Sequence, residues 1–109
     1  MSLTSAYRAL GDPTRREILV LLRDGNLAAG ELASHFDISW PSVSRHLKVL
    51  EAAGLVSSIR RGGNIIYSLQ TSVLEDIVTE LAEMARLGRS SPSAAGRAGT
   101  KRSPRPQGA

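Results

Sequence analysis

At 109 residues, 41% hydrophobic and 22% charged, the chain has material for one small core and contains no apolar run near the ~18 residues that a membrane-spanning helix needs. The absence of cysteine excludes a disulfide framework, a thiol nucleophile and thiolate metal ligation together. The formal charge of +4 is unevenly placed, with +5 in residues 88–109, +3 in residues 39–70 and −3 in residues 71–87, so a local basic segment rather than the overall charge points to a polyanionic partner.

Leu3, Tyr7 and Leu10 fall at i, i+4 and i+7 and predict a short first helix closed by Gly11. Asp12 followed by Pro13 reads as an N-cap with proline at the first helical position, and Ile18, Leu19, Leu21 and Leu22 supply the buried stripe of a second helix ending near Gly25. Ala29, Leu32, Ala33 and Phe36 predict a short third helix. Ser39 is placed as the next N-cap, with Pro41 in the first turn, where a missing N–H costs little. Ile38 and Val43 have the spacing of a hydrophobic staple, Val43, Leu47 and Leu50 share one face, and Gly54 ends the fourth helix.

Leu55–Arg61 and Asn64–Leu69 flank Gly62-Gly63, a two-residue hairpin signal whose favoured turn calls for positive φ at both glycines. That pairing sets Val56 opposite Leu69, Ser58 opposite Tyr67 and Arg60 opposite Ile65 on the face expected to meet the core, with Ile59 opposite Ile66 on the other. Ser72 and Glu75 have capping-box spacing, and Leu74, Ile77, Val78, Leu81, Met84 and Ala85 form a wide apolar stripe on a last helix ending near Gly88. Residues 88–109 contain four Gly, three Pro and four Ser and no aliphatic larger than Ala, which predicts a disordered basic tail behind a folded domain of residues 1–87. No apolar h-region follows a basic n-region at the start, and the expected location is cytoplasmic.

The predicted fold is mainly α with a small β-hairpin, in the order α-α-α-α-β-β-α. Two short helices joined by a tight connector, the second carrying Arg and Lys outward, and then a glycine-tipped basic hairpin make a winged helix-turn-helix. Its expected partner is double-stranded DNA, because a helix fits the major groove and a hairpin tip can reach neighbouring phosphates or the minor groove. At about 100° per residue, Arg45, Pro41 and Lys48 come opposite the Val43-Leu47-Leu50 stripe, with Ser42 and Ser44 on the flanks. Arg45 has the fork geometry for guanine, whereas Lys48 suits a phosphate.

Arg60 and Arg61 beside Gly62 read as phosphate contacts of a wing rather than a solubilising tip. Trp40 is expected near DNA without reading a base, or packed on the helix end. His46, at the edge of the buried stripe, is either a packed imidazole or a phosphate contact. Glu75, Asp76, Glu80 and Glu83 read as a solvated helix face. With no nucleophile beside a placed base, no phosphate-binding glycine loop and no metal cluster, an enzyme is not expected. The competing function is a winged-helix protein-interaction module, its last helix docking a partner and DNA binding secondary or lost.

The stretches ALGDPTRREILVLL, AGELASHFDISWPSVSRHLKVLEAAGLV and RRGGNIIYSL resemble the ArsR-type bacterial transcription regulators over nearly all of residues 3–87, most of all the metal-independent, SdpR-like autorepressor branch. The resemblance implies a homodimer joined through the first and last helices, by Leu3, Tyr7, Leu74, Ile77, Val78, Leu81 and Met84, that represses transcription from a palindromic operator. It also admits a small-molecule or protein effector. Metal-sensing relatives carry paired cysteines on the third helix, where this chain has Ala33 and His35, or His with Asp or Glu on the last helix, which here has no histidine. No metal and no cofactor are therefore expected. Ala28 departs from the Ser or Thr cap that often precedes the third helix.

Overall fold

In the computed structural model the described residues are 3–89, with side chains described for residues 3–86. Residues 90–109, most of the expected basic tail, lie outside them. Eight elements follow in order: α1 (Leu3–Leu10), α2 (Pro13–Arg23), β1 (Leu27–Ala28), α3 (Ala29–Ala33), α4 (Trp40–Ala52), β2 (Val56–Arg61), β3 (Asn64–Leu69) and α5 (Thr71–Arg89).

Asp12 and Ser39 start their helices in the same way. Each is extended, and its side chain accepts from the backbone N–H three residues on, that of Arg15 for Asp12 and that of Ser42 for Ser39, with proline in the first turn behind it. These caps satisfy donors that a helix start leaves without partners. Ala28 has no side-chain oxygen, so only the reciprocal half of a capping box forms at α3, Glu31 Oε1 accepting from Ala28 N at 2.8 Å. Ile38 stays exposed while Val43 is enclosed.

The α4 stripe is realised as expected, with Val43, Leu47 and Leu50 buried; on α2 Ile18, Leu19 and Leu22 are buried, while Leu21, expected in the same stripe, is only half-buried. For α1 the phase differs: Ala6 and Ala9 are buried, while Leu3, Tyr7 and Leu10 are half-buried at the edge of the core. Two alanines let this helix approach closely, and its larger residues then fall to the side. Helices α1, α2 and α4 pack on one another, α2 also meets β3, and α4 meets β2. Leu32, Ala53, Leu55, Val56, Tyr67 and Ile77 complete the buried centre.

The strands pair antiparallel in the order β1-β3-β2. All the expected hairpin pairs form, including Val56 with Leu69, Ser58 with Tyr67, Ile59 with Ile66 and Arg60 with Ile65. Beyond the hairpin, Leu27 and Ala28 add a third strand, pairing with Tyr67 and Ile66. Of the two turn glycines, Gly62 alone takes positive φ, at 63°. That corrects the expectation for both glycines: positive φ at the first central position alone is the signature of a type II′ turn rather than I′.

Helix α5 begins at Thr71, so Ser72 lies inside its first turn and is not its N-cap. The chain divides into two units at Ile77 and Val78. In the first, Val73 and Leu74 pack half-buried on the core and Ile77 is 4% exposed. In the second, α5 continues to Arg89 and leaves Val78, Leu81 and Met84 exposed at 64%, 48% and 52%. None of the described helices is long and apolar enough to cross a membrane.

Candidate nucleic-acid interface

With Val43, Leu47 and Leu50 wholly buried, the opposite side of α4 is fixed as an outward face. Trp40, Pro41, Ser44, Arg45 and Lys48 line one shallow concavity on it. Pro41, Arg45 and Lys48 are exposed and Ser44 is half-buried. Ser42 is engaged at the helix start, where its N–H and its Oγ lie 3.3 and 3.0 Å from Ser39 Oγ.

The side chains of Arg45, Lys48, Arg60 and Arg61 have no hydrogen bond or ion pair among the described residues. A cation left without an internal partner on a rigid helix keeps its full charge for an external one.

The hairpin tip holds Arg60, Arg61 and Gly62, all exposed, and they do not line the α4 concavity. Successive strand residues face opposite sides. Arg60 therefore extends the row of Val56 and Ser58, and Arg61 that of Ile59, placing one guanidinium on each side of the wing. At its base the hairpin is tied to α4: Ser58 Oγ donates to Glu51 Oε2 at 2.9 Å. Burial, with the Glu51 carboxylate adding to it, pushes the Tyr67 hydroxyl above its ordinary pKa.

His46 turns away from the outward face. Its side chain is 22% exposed and its Nδ1 lies 3.3 Å from Arg15 Nη1 and 3.9 Å from Asp12 Oδ2. Of its two expected roles, the geometry is that of the packed imidazole. The Arg15 partner was missed in the sequence, where Arg15 stands only within the stretch ALGDPTRREILVLL. Its signal is that Arg15 and Arg16 follow the α1–α2 turn and both reach back over it, Arg15 to the Ala9 carbonyl at 2.7 Å and Arg16 to that of Leu10 at 2.7 Å.

Among the described residues no three His, Cys, Asp or Glu side chains gather as a metal site. His35 is exposed at the end of α3.

An exposed cationic helix seated on a buried stripe, followed by an arginine-tipped hairpin, is the arrangement of a winged helix-turn-helix regulator. Residues 12–58 match the family described as bacterial regulatory protein, arsR family. The chain is 43% identical over 86 residues to the transcriptional repressor SdpR of Bacillus subtilis, an alignment covering 79% of this chain and 96% of that one. It is 38% identical over 79 residues to an arsenical resistance operon repressor of Staphylococcus aureus, covering 72% and 76%. A crystal structure of an ArsR family transcriptional regulator superposes with a TM-score of 0.76 at 32% identity, covering 81% of this chain and 91% of the other. The chain belongs to the arsR family of bacterial regulatory proteins.

Proposed function

We propose that the protein represses transcription by binding double-stranded DNA as a homodimer, in the cytoplasm, with α4 of each protomer in successive major grooves of a palindromic operator. The observation that carries this is the pair of unpartnered cations, Arg45 and Lys48, on the outward face of a helix whose other face is wholly buried. Arg45 supplies the two-pronged donor for guanine O6 and N7, Lys48 a point charge for phosphate, and Arg60 and Arg61 grip the backbone on either side of the wing.

Dimerisation rests on the exposed Val78, Leu81 and Met84 of α5, an apolar row that water alone covers poorly, together with half-buried Leu3, Tyr7 and Leu74. Ile77 is committed to the core of its own chain. The relatives named as repressors support the repression of transcription.

Fluorescence anisotropy with labelled duplexes of about 30 base pairs, long enough for two half-sites one helical turn apart, tests it. For a dimer making six or more phosphate contacts, affinity falls on the order of a thousandfold between about 50 and 200 mM salt. Binding that ignores salt, or no binding at low salt, overturns the proposal.

A further inference from the structure

Trp40 has no task in this scheme. It is the chain's one tryptophan, it is 49% exposed, and it is the first residue of α4. At about 100° per residue it sits on the same flank of α4 as Ser44 and Glu51. The Glu51–Ser58 hydrogen bond identifies that flank as the one facing the wing. Next to it Pro41, which has no N–H, offers only carbon outward. Trp40 and Pro41 thus make an apolar wall beside the cations Arg45 and Lys48 in one concavity.

The floor of the major groove presents one apolar group, the 5-methyl of thymine, while the edge of guanine takes an arginine fork. The ring face of an indole held half in water beside that helix is matched to the methyl group, and its N–H is left to donate to water or a phosphate. We infer that the Trp40–Pro41 wall reads a thymine 5-methyl group in each half-site, beside the guanine bound by Arg45. Trp40 is then a specificity residue rather than a bystander. This inference rests on the DNA-binding reading above.

The test starts by selecting duplexes of about 30 base pairs from a random pool with the full chain. The enriched duplex is then remade with deoxyuridine, which lacks only the methyl, in place of thymidine. Burying one methyl corresponds to about a fourfold gain in affinity, or about fifteenfold over two half-sites. Wild type should bind the deoxyuridine duplex weaker by about that factor, and thymidine duplex should perturb Trp40 emission more than deoxyuridine duplex does. Trp40→Ala should bind both duplexes equally and keep the salt slope of wild type. Equal binding of the two duplexes by wild type, which needs no variant, overturns the inference, as does a Trp40→Ala protein that keeps the full difference. Failure to enrich any duplex instead removes the DNA-binding reading and this inference with it.

Discussion

Arg15 Nη1 lies 3.3 Å from His46 Nδ1 and joins the start of α2 to the middle of α4 across 31 residues of sequence. Arginine only donates, so this contact needs Nδ1 as an acceptor and the ring proton on Nε2. Pairing of the same nitrogen with Asp12, 3.9 Å away, needs a proton on Nδ1 and competes with the arginine. The same guanidinium donates to the Ala9 and Arg8 carbonyls at 2.7 and 3.2 Å. One side chain therefore holds the end of α1, the start of α2 and α4 together.

Arg15→Ala should lower stability by about 2 kcal/mol, since it leaves the Ala9 carbonyl and an imidazole nitrogen without that donor, although Gly11 N–H still serves the Arg8 carbonyl at 3.1 Å, whereas exposed Arg16→Ala, with its one bond to Leu10, should cost about 0.5 kcal/mol. Arg15→Lys should recover only part of the loss, because an ammonium cannot reproduce the fork. Urea unfolding measures all three, and equal effects of the two alanine variants would contradict the clamp.

The Arg15 backbone N–H, 3.1 Å from Asp12 Oδ2, holds the Asp12 carboxyl below its ordinary value of 3.8; partial burial opposes this, and His46, when its ring carries a charge, and the Arg15 guanidinium add to it. A depressed folded pKa stabilises the fold above the unfolded value and loses that contribution as pH falls through the folded one. The stability gap between wild type and Asp12→Asn should therefore be constant near neutrality and close as pH drops below about 4. A gap that stays constant across the acid range would mean that the charge of the cap contributes nothing.

Ile77 and Leu81 lie four residues apart on α5 but differ in exposure, 4% against 48%. Ile77→Ala should cost about 2–4 kcal/mol in unfolding. Leu81→Glu should leave that core intact and shift the protein from dimer to monomer in sedimentation at micromolar concentration. If Leu81→Glu unfolds the chain without passing through a folded monomer, α5 is serving the core there and not a partner.

Helix α4 was legible because three local signals agree: the Ser39 cap, Pro41 in the first turn and a 3.6-residue stripe of large side chains. The outward positions of Arg45 and Lys48 follow from that stripe by geometry alone. Strand β1 was not legible, since two residues carry no period and Leu27-Ala28 become a strand only by pairing with β3. The phase of α1 was misjudged because its buried face is made of Ala6 and Ala9, which weigh little in a hydrophobic pattern. His46 could not be assigned from its own helix, because its partners Arg15 and Asp12 belong to another one.

Chelation or added zinc should leave DNA affinity unchanged within about twofold, since a zinc site needs three or four converging ligands and the described residues gather no three. Release of DNA by zinc, reproduced by anisotropy, would return attention to His35, Asp37 and the acidic residues of α5.

The central claim, that α4 reads bases while the wing grips phosphates, is tested most directly by comparing variants on a selected duplex and on random DNA across salt concentrations. Arg45→Ala should lose about 1–3 kcal/mol on the selected duplex and narrow its advantage over random DNA. Arg60→Ala with Arg61→Ala should weaken both duplexes by similar factors and make the salt slope shallower by about one or two units. If the wing variant instead abolishes selectivity while Arg45→Ala leaves it untouched, α4 is not the reader.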